Sequence, residues 1–107
     1  MTASALALEL DQPVLRLLAD PMRAQIVALL AVDQRCTCHL VDATGATQSN
    51  ISNHLRALRE AGIVEAEPAG RFTYYRLLPE PLAALGQALD ALAEQARAAG
   101  ARKRQCP

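Results

Sequence analysis

With 107 residues the chain is long enough for one domain and a small core, which self-association would enlarge. Apolar residues make up 51% of it but only 3% are aromatic and Trp is absent, so the apolar content is mostly Ala, Leu and Val, a mixture that favours helices. Eleven basic residues balance eleven acidic ones, so net charge by itself points to no nucleic-acid partner; no apolar run reaches the roughly 18–20 residues needed to span a bilayer, and a secretory signal pattern is absent, so the chain reads as cytoplasmic with no membrane partner.

The first helix is predicted to run to about Ala19, with Leu10, Val14, Leu17 and Leu18 at helical spacing behind Asp11-Gln12-Pro13, a cap followed by proline in the first turn. Asp20-Pro21 restarts the pattern, and Met22, Ile26, Leu29 and Leu30 form a second apolar stripe closed by Asp33-Gln34-Arg35. A short third helix is predicted from about Cys38 to Ala43, with Leu40 and Val41 buried and Gly45 ending it. Thr47 can cap a fourth helix that runs to about Ala61 and stops at Gly62. On this helix Ile51, Leu55 and Leu58 share one face, while Ser49, Asn53 and Arg56 fall opposite, flanked by Asn50.

Two β-prone runs, Ile63 to Glu67 and Arg71 to Leu77, are separated by the turn signal Pro68-Ala69-Gly70 and predict a hairpin. From Glu80 to about Ala99, Leu82, Leu85, Leu89, Leu92, Ala96 and Ala99 alternate steps of three and four, the spacing of a helix-helix seam. Residues 100–107 are expected to be a loose tail. The basic residues are clustered despite the neutral total: Arg56, Arg59, Arg71 and Arg76 lie in one block, Arg97, Arg102, Lys103 and Arg104 at the end. The fold class is therefore mainly α with a small β-hairpin, in the element order of a winged helix-turn-helix. The whole of residues 1–107 is expected to be one such domain, with the recognition helix at about 47–61, the wing at about 63–77 and the last helix at about 80–99.

Within this frame the stretch RCTCHLVDATGATQSNISNHLRALREAGIVEAEPAGRFTYYRL resembles the central region of the ArsR/SmtB metal-sensing repressors. The resemblance is carried by a CxC at the third helix, by QSNISNHLRALREAGIV as recognition helix, by GRFTYYRL as second wing strand, and by LADPMRAQIVALL, which is similar to the family's second helix. It implies a homodimer on double-stranded operator DNA. A recognition helix presents its first side chains to base edges of the major groove, which assigns Gln48, Ser49, Asn50 and Asn53 to the bases, since Asn and Gln can bond adenine in bidentate fashion. Arg56 and the wing-tip Arg71 are assigned to phosphates or the minor groove, where they add affinity and salt dependence but little sequence choice. His54, beside the apolar stripe, reads as a packing residue. Because one winged helix reads a half-site, a dimer is expected, joined through the last helix and through Leu6, Leu10 and Leu17 of the first.

Three cysteines, Cys36, Cys38 and Cys106, argue in a reducing compartment for free thiols, metal ligands or redox chemistry and against a disulfide framework. Two thiolates do not complete a structural zinc site, which needs four ligands. The resemblance implies trivalent arsenic or antimony as inducer, held by three thiolates. Here the sequence departs from the family's CVCDLC, with Val41 at the third cysteine position and His39 in place of the acidic residue, so Cys36 and Cys38 are expected to form the core of the site and Cys106, from either subunit, to complete it. Two helical residues two apart point about 200° from each other. Capture is therefore expected to unwind the start of the third helix and so to disturb the recognition helix. His39 as a further ligand would favour cadmium, lead or zinc. The last helix offers only Asp90 and Glu94, which argues against a zinc site at the dimer seam. A cadmium or lead sensor and a thiol redox switch joining Cys36 to a second cysteine are the alternatives. An enzyme is not expected, for there is no phosphate-cradling loop and no partner arranged to activate a thiol.

Overall fold

The computed structural model describes residues 13–107. Helix α1 (Pro13–Leu18) is followed by α2 (Pro21–Leu30), a two-residue strand β1 (Arg35–Cys36), α3 (Thr37–Thr44), α4 (Gln48–Glu60), the hairpin strands β2 (Val64–Ala69) and β3 (Phe72–Leu77), and the long α5 (Pro79–Ala99). This is a winged helix-turn-helix: α3 and α4 form the helix-turn-helix pair, β2 and β3 the wing. The expected helix at the start of the chain begins in the described residues at Pro13, and Leu6, Leu10 and the Asp11-Gln12 cap lie outside them.

Asp20 makes the break between α1 and α2. Its extended backbone (φ −78°, ψ 124°) turns the chain, and its Oδ1 accepts the backbone N–H groups of Met22 at 2.9 Å and Arg23 at 3.1 Å. Those donors are orphans at any helix start, and Pro21 follows at the first helical position, where its missing N–H costs nothing. Arg23 returns the link by donating Nε–H to the Leu17 carbonyl at 2.9 Å, which ties α2 to α1. The core then collects Ile26 and Leu30 from α2, Leu40 from α3, Ile51, Leu55 and Leu58 from α4, and Ile63 and Val64 from the entry to the wing. Leu40 is the one fully buried side chain of α3, and through it the short helix is anchored against α4.

The hairpin differs from the sequence expectation in two ways. Its turn is Gly70-Arg71, not Pro68-Ala69-Gly70, because Ala69 pairs with Phe72 and Pro68 with Thr73. Pro68 is tolerated inside β2 because the strand order β1-β3-β2 leaves β2 at an edge, where an N–H can be missing. Gly70 has φ +64°, a left-handed backbone that the tight turn requires and that a side chain would strain. The second difference is β1, which no sequence pattern indicated: Arg35 pairs with Tyr75 and Cys36 with Tyr74, making the wing a three-stranded antiparallel sheet.

The seam residues of α5 split between two roles. Leu82 and Leu85 pack on the core of the same chain, while Leu89 is 47% exposed; Leu17 of α1 also packs inward, and Leu15 is 41% exposed. No helix among the described residues is long and apolar enough to cross a membrane.

The Asp20 carboxyl is held below its ordinary value, first by the Arg23 backbone hydrogen bond, which burial opposes, and then by the Met22 backbone hydrogen bond and the charges of Arg23 and His54. Since folding favours the charged form, this stabilisation is complete above the ordinary carboxylate pKa and is lost as pH falls through the lowered folded value. Asp20→Asn, which keeps an acceptor but no charge, is expected to lower the urea midpoint at neutral pH and to narrow the gap between neutral and acidic midpoints; equal gaps in both proteins would exclude the assignment.

Candidate nucleic-acid interface and thiol site

Helix α4 begins with Thr47 in extended conformation, its Oγ1 accepting the Asn50 backbone N–H at 3.1 Å. The buried stripe Ile51, Leu55 and Leu58 holds one face on the core, which leaves Gln48, Ser49, Asn50, Asn53 and Arg56 exposed together on the other. Arg56 donates from Nη2 to Asn53 Oδ1 at 3.1 Å, so this pair is already oriented side by side, and the amide keeps both its N–H donors and a second lone pair for another partner. Arg71 is exposed at the wing tip. Arg76, in the same basic block of the sequence, is instead paired with Glu65 across the hairpin, with Nε 3.0 Å from Oε1, so its charge is internally neutralised. His54 is half-buried, in keeping with a packing role, and its charge bears on Asp20.

The connection from α3 to α4 is short and fully bonded. Thr44 Oγ1 donates to the Leu40 carbonyl at 2.7 Å and accepts the Ala46 N–H at 3.2 Å, while the Gly45 N–H bonds the Val41 carbonyl at 2.9 Å. Gly45 sits at φ +76°, the left-handed cap that lets the chain reverse in three residues. The start of α4 is thus tied to the end of α3 by a short, hydrogen-bonded turn.

Cys36 is not a helical residue. It is the N-cap of α3, extended at φ −84° and ψ 168°, and belongs at the same time to β1. The 200° separation expected for two helical residues thus does not apply: the Cys36 and Cys38 sulfurs are brought into disulfide contact, with Cα atoms 5.4 Å apart, while α3 stays wound from Thr37 onward. The premise of the unwinding expectation, that both cysteines are helical, is corrected: Cys36 lies off the helix, and the sulfurs meet with α3 wound from Thr37 onward. Cys36 is 4% exposed and Cys38 is exposed, so one sulfur is shielded and the other faces solvent. His39 joins them: its Nδ1 accepts the Cys36 backbone N–H at 3.3 Å, the reach-back half of a capping box, and lies 3.3 Å from Cys36 Sγ. Among the described residues, Cys36, Cys38 and His39 form a group whose ligand atoms all lie within 4.8 Å of one another. Cys106 is an exposed thiol in the tail beyond α5 and is not in that group.

In front of the pair lies a cleft of about 460 Å³ lined by Cys36, Thr37, Cys38, Val41, Asp42, Gln48 and Phe72. The same cavity is bounded by the thiols, by the first residue of the recognition helix and by the first residue of β3. The sequence reading missed Phe72; the signal available was that this sole phenylalanine of the chain stands at the start of a wing strand where its neighbours are polar.

A family model described as bacterial regulatory protein, arsR family, matches residues 20–66, which run from the cap of α2 through the recognition helix into β2. A solved structure of a possible transcriptional regulator for arsenical resistance is 36% identical, with a TM-score of 0.66 over 83% of this chain and 95% of that one. The chain belongs to the ArsR/SmtB family of helix-turn-helix transcriptional regulators. This ArsR/SmtB chain is also 46% identical over 79 residues to the HTH-type transcriptional repressor SmtB of Mycobacterium tuberculosis, covering 74% of this chain and 57% of that one. It spans just over half the length of the first relatives that it matches by sequence. A third likeness, at 28% identity and a TM-score of 0.64 over 100% of this chain and 97% of the other, is to the homodimeric winged helix-turn-helix DNA-binding domain of a possible ArsR-family regulator from Mycobacterium bovis.

In this regulator fold the start of α4 depends on the Thr47 cap, since only its hydroxyl among the neighbouring side chains takes the Asn50 N–H. Thr47→Ala is expected to cost about 1 kcal/mol of stability, read as a lower urea midpoint with an unchanged denaturant slope; no change in midpoint would show that the turn from Gly45 alone sets the helix start.

Proposed function

We propose that this ArsR/SmtB regulator is a repressor that binds an inverted-repeat operator as a homodimer and releases it when trivalent arsenic or antimony is captured by cysteine thiolates. Gln48, Ser49, Asn50 and Asn53 read base edges, and Arg56 and Arg71 hold phosphates or the minor groove. Cys36 and Cys38 form the core of the inducer site, with Cys106 of the same chain or of a second copy as third sulfur. The observation that carries the reading is the pairing of the Cys36 and Cys38 sulfurs in the wall of a cleft that Gln48 also lines. An occupant there touches the first groove-reading residue directly, without unwinding α3.

Dimer formation is supported by the shape of the chain and by the solved homodimeric relative. The radius of gyration is 17.8 Å, well above the roughly 13 Å of a compact 100-residue domain, and Leu15 and Leu89 are exposed on α1 and α5. A second copy packed along α1 and α5 would cover that surface and place two recognition helices for two half-sites.

A divalent soft cation is the second reading, favoured by His39. Two thiolates and one imidazole within 4.8 Å make a donor set that suits cadmium or zinc as well as it suits arsenic. The His39 Nδ1 lone pair is the one that accepts the Cys36 N–H, so an ion would have to take it from the helix cap. A redox switch is favoured by the disulfide contact itself.

Fluorescence anisotropy of a labelled DNA fragment from upstream of the protein's own coding region separates the three. Under reducing conditions arsenite is expected to weaken binding about 5–150-fold, the range of ordinary allosteric coupling, and Cys36→Ser or Cys38→Ser to remove the response. Release by cadmium or zinc but not arsenite would select the divalent reading, and release by peroxide alone, reversed by reductant, the redox one. Arg71→Ala is expected to weaken binding to all sequences alike and to lower the slope of log affinity against log salt by about one; a loss confined to the operator would instead make Arg71 a base reader.

A further inference from the structure

We infer that Arg56 is a positioning residue for sequence reading: its bond to Asn53 sets which way round the Asn53 amide faces the major groove, and so which strand must carry the adenine that Asn53 reads. This rests on the assignment of Asn53 to a base edge above and deepens it. The starting observation is that Arg56 Nη2 lies 3.1 Å from Asn53 Oδ1, with both residues exposed on the polar face of α4. A guanidinium has five N–H donors and no acceptor. The end of the amide that meets it is therefore the oxygen, and a flipped amide would set donor against donor. Oδ1 is thus turned toward Arg56 and Nδ2 away from it, an order that a solvated asparagine does not have by itself.

The bond is specific to this pair. Gln48 and Asn50, the other amides of the same face, have no side-chain hydrogen bond of this kind among the described residues. Nor is Arg56 drawn elsewhere: no carboxylate pairs with it among the described residues, although Glu60 stands one turn further along α4.

The order of the amide matters because a base pair is read across the groove as a series of groups. Across A·T the series is acceptor at adenine N7, donor at N6, acceptor at thymine O4 and then the methyl group; across T·A it runs backwards. An asparagine that holds adenine accepts from N6 and donates to N7, so its Nδ2 must lie toward the strand that carries the adenine. An amide free to flip satisfies A·T and T·A alike. One whose oxygen is pinned satisfies a single orientation of the pair. The second lone pair of Oδ1 stays open to adenine N6–H, and the remaining donors of Arg56 stay open to a phosphate, so positioning and backbone contact are compatible in one side chain.

The test titrates the full chain, reduced and without added metal, by fluorescence anisotropy against its operator and against versions in which each base pair of one half-site is inverted in turn. Asn53→Ala locates the pair that Asn53 reads, as the one whose inversion weakens the parent chain but not the variant. That pair is expected to be A·T, and its inversion to cost the parent about 5–150-fold, the range of one bidentate base contact. Arg56→Gln, which can accept as well as donate and so tolerates either order of the amide, is expected to shrink that ratio several-fold. A phosphate contact alone would weaken binding to all versions together and leave the ratio where it was. An unchanged ratio in Arg56→Gln, or a G·C pair at the located position, would overturn the inference while Asn53 remains a base reader. If Asn53→Ala alters the effect of no inversion, the assignment of Asn53 to a base falls, and the inference with it.

Discussion

Cys36 holds three positions at once, and the arrangement of the site follows from that. Its backbone pairs with Tyr74 in the wing sheet, it is the residue from which α3 springs, and its side chain stands against Cys38 and His39. An N-cap must be extended, and so must a strand residue, so one backbone conformation satisfies both demands. That conformation takes Cys36 off the helical wheel and turns its sulfur toward Cys38. The reactive pair is thereby a product of secondary-structure geometry and does not depend on distorting a helix.

The same residue joins the two DNA-facing elements. Through β1 it is part of the wing, and through α3, Leu40 and the Gly45 turn it is joined to the recognition helix. The cleft between these elements is walled by Gln48 on one side and Phe72 on another. In the proposed function, ligand and DNA would therefore need no long-range communication. Under the proposed function both would act on the relative placement of α4 and β3, and linkage would require the effect to be reciprocal.

Charge follows a similar logic. The neutral composition conceals a local division, because Arg76 is spent on Glu65 and Arg97 pairs with Glu94, whereas Arg56 leans on an uncharged amide and Arg71 stands at the wing tip. Arg56 and Arg71 lie on the elements that would meet a phosphate backbone, as does the exposed Arg59, while the pairing of Arg76 with Glu65 makes the basic surface in the fold smaller than the basic block in the sequence. Sequence proximity of arginines cannot reveal which of them face a carboxylate across a hairpin.

What the residues alone determined was the helical framework and the polar face of α4. The period of Ile51, Leu55 and Leu58, the Asp20 and Thr47 caps and the Gly45 stop act over a few residues, and local rules of that kind are readable in one dimension. The wing was legible as two strands, though Pro68 drew its turn two residues too early, because edge position, which excuses the proline, is a property of the assembled sheet. Strand β1 was not legible at all: two residues carry no period, and their pairing partner lies about forty positions away. That long-range pairing decided the conformation of Cys36, the meeting of its sulfur with Cys38 and His39, and the presence of Phe72 at the mouth of the same cleft. Cysteine identity and spacing were local facts; whether the sulfurs meet was settled only by the strand that folds against them.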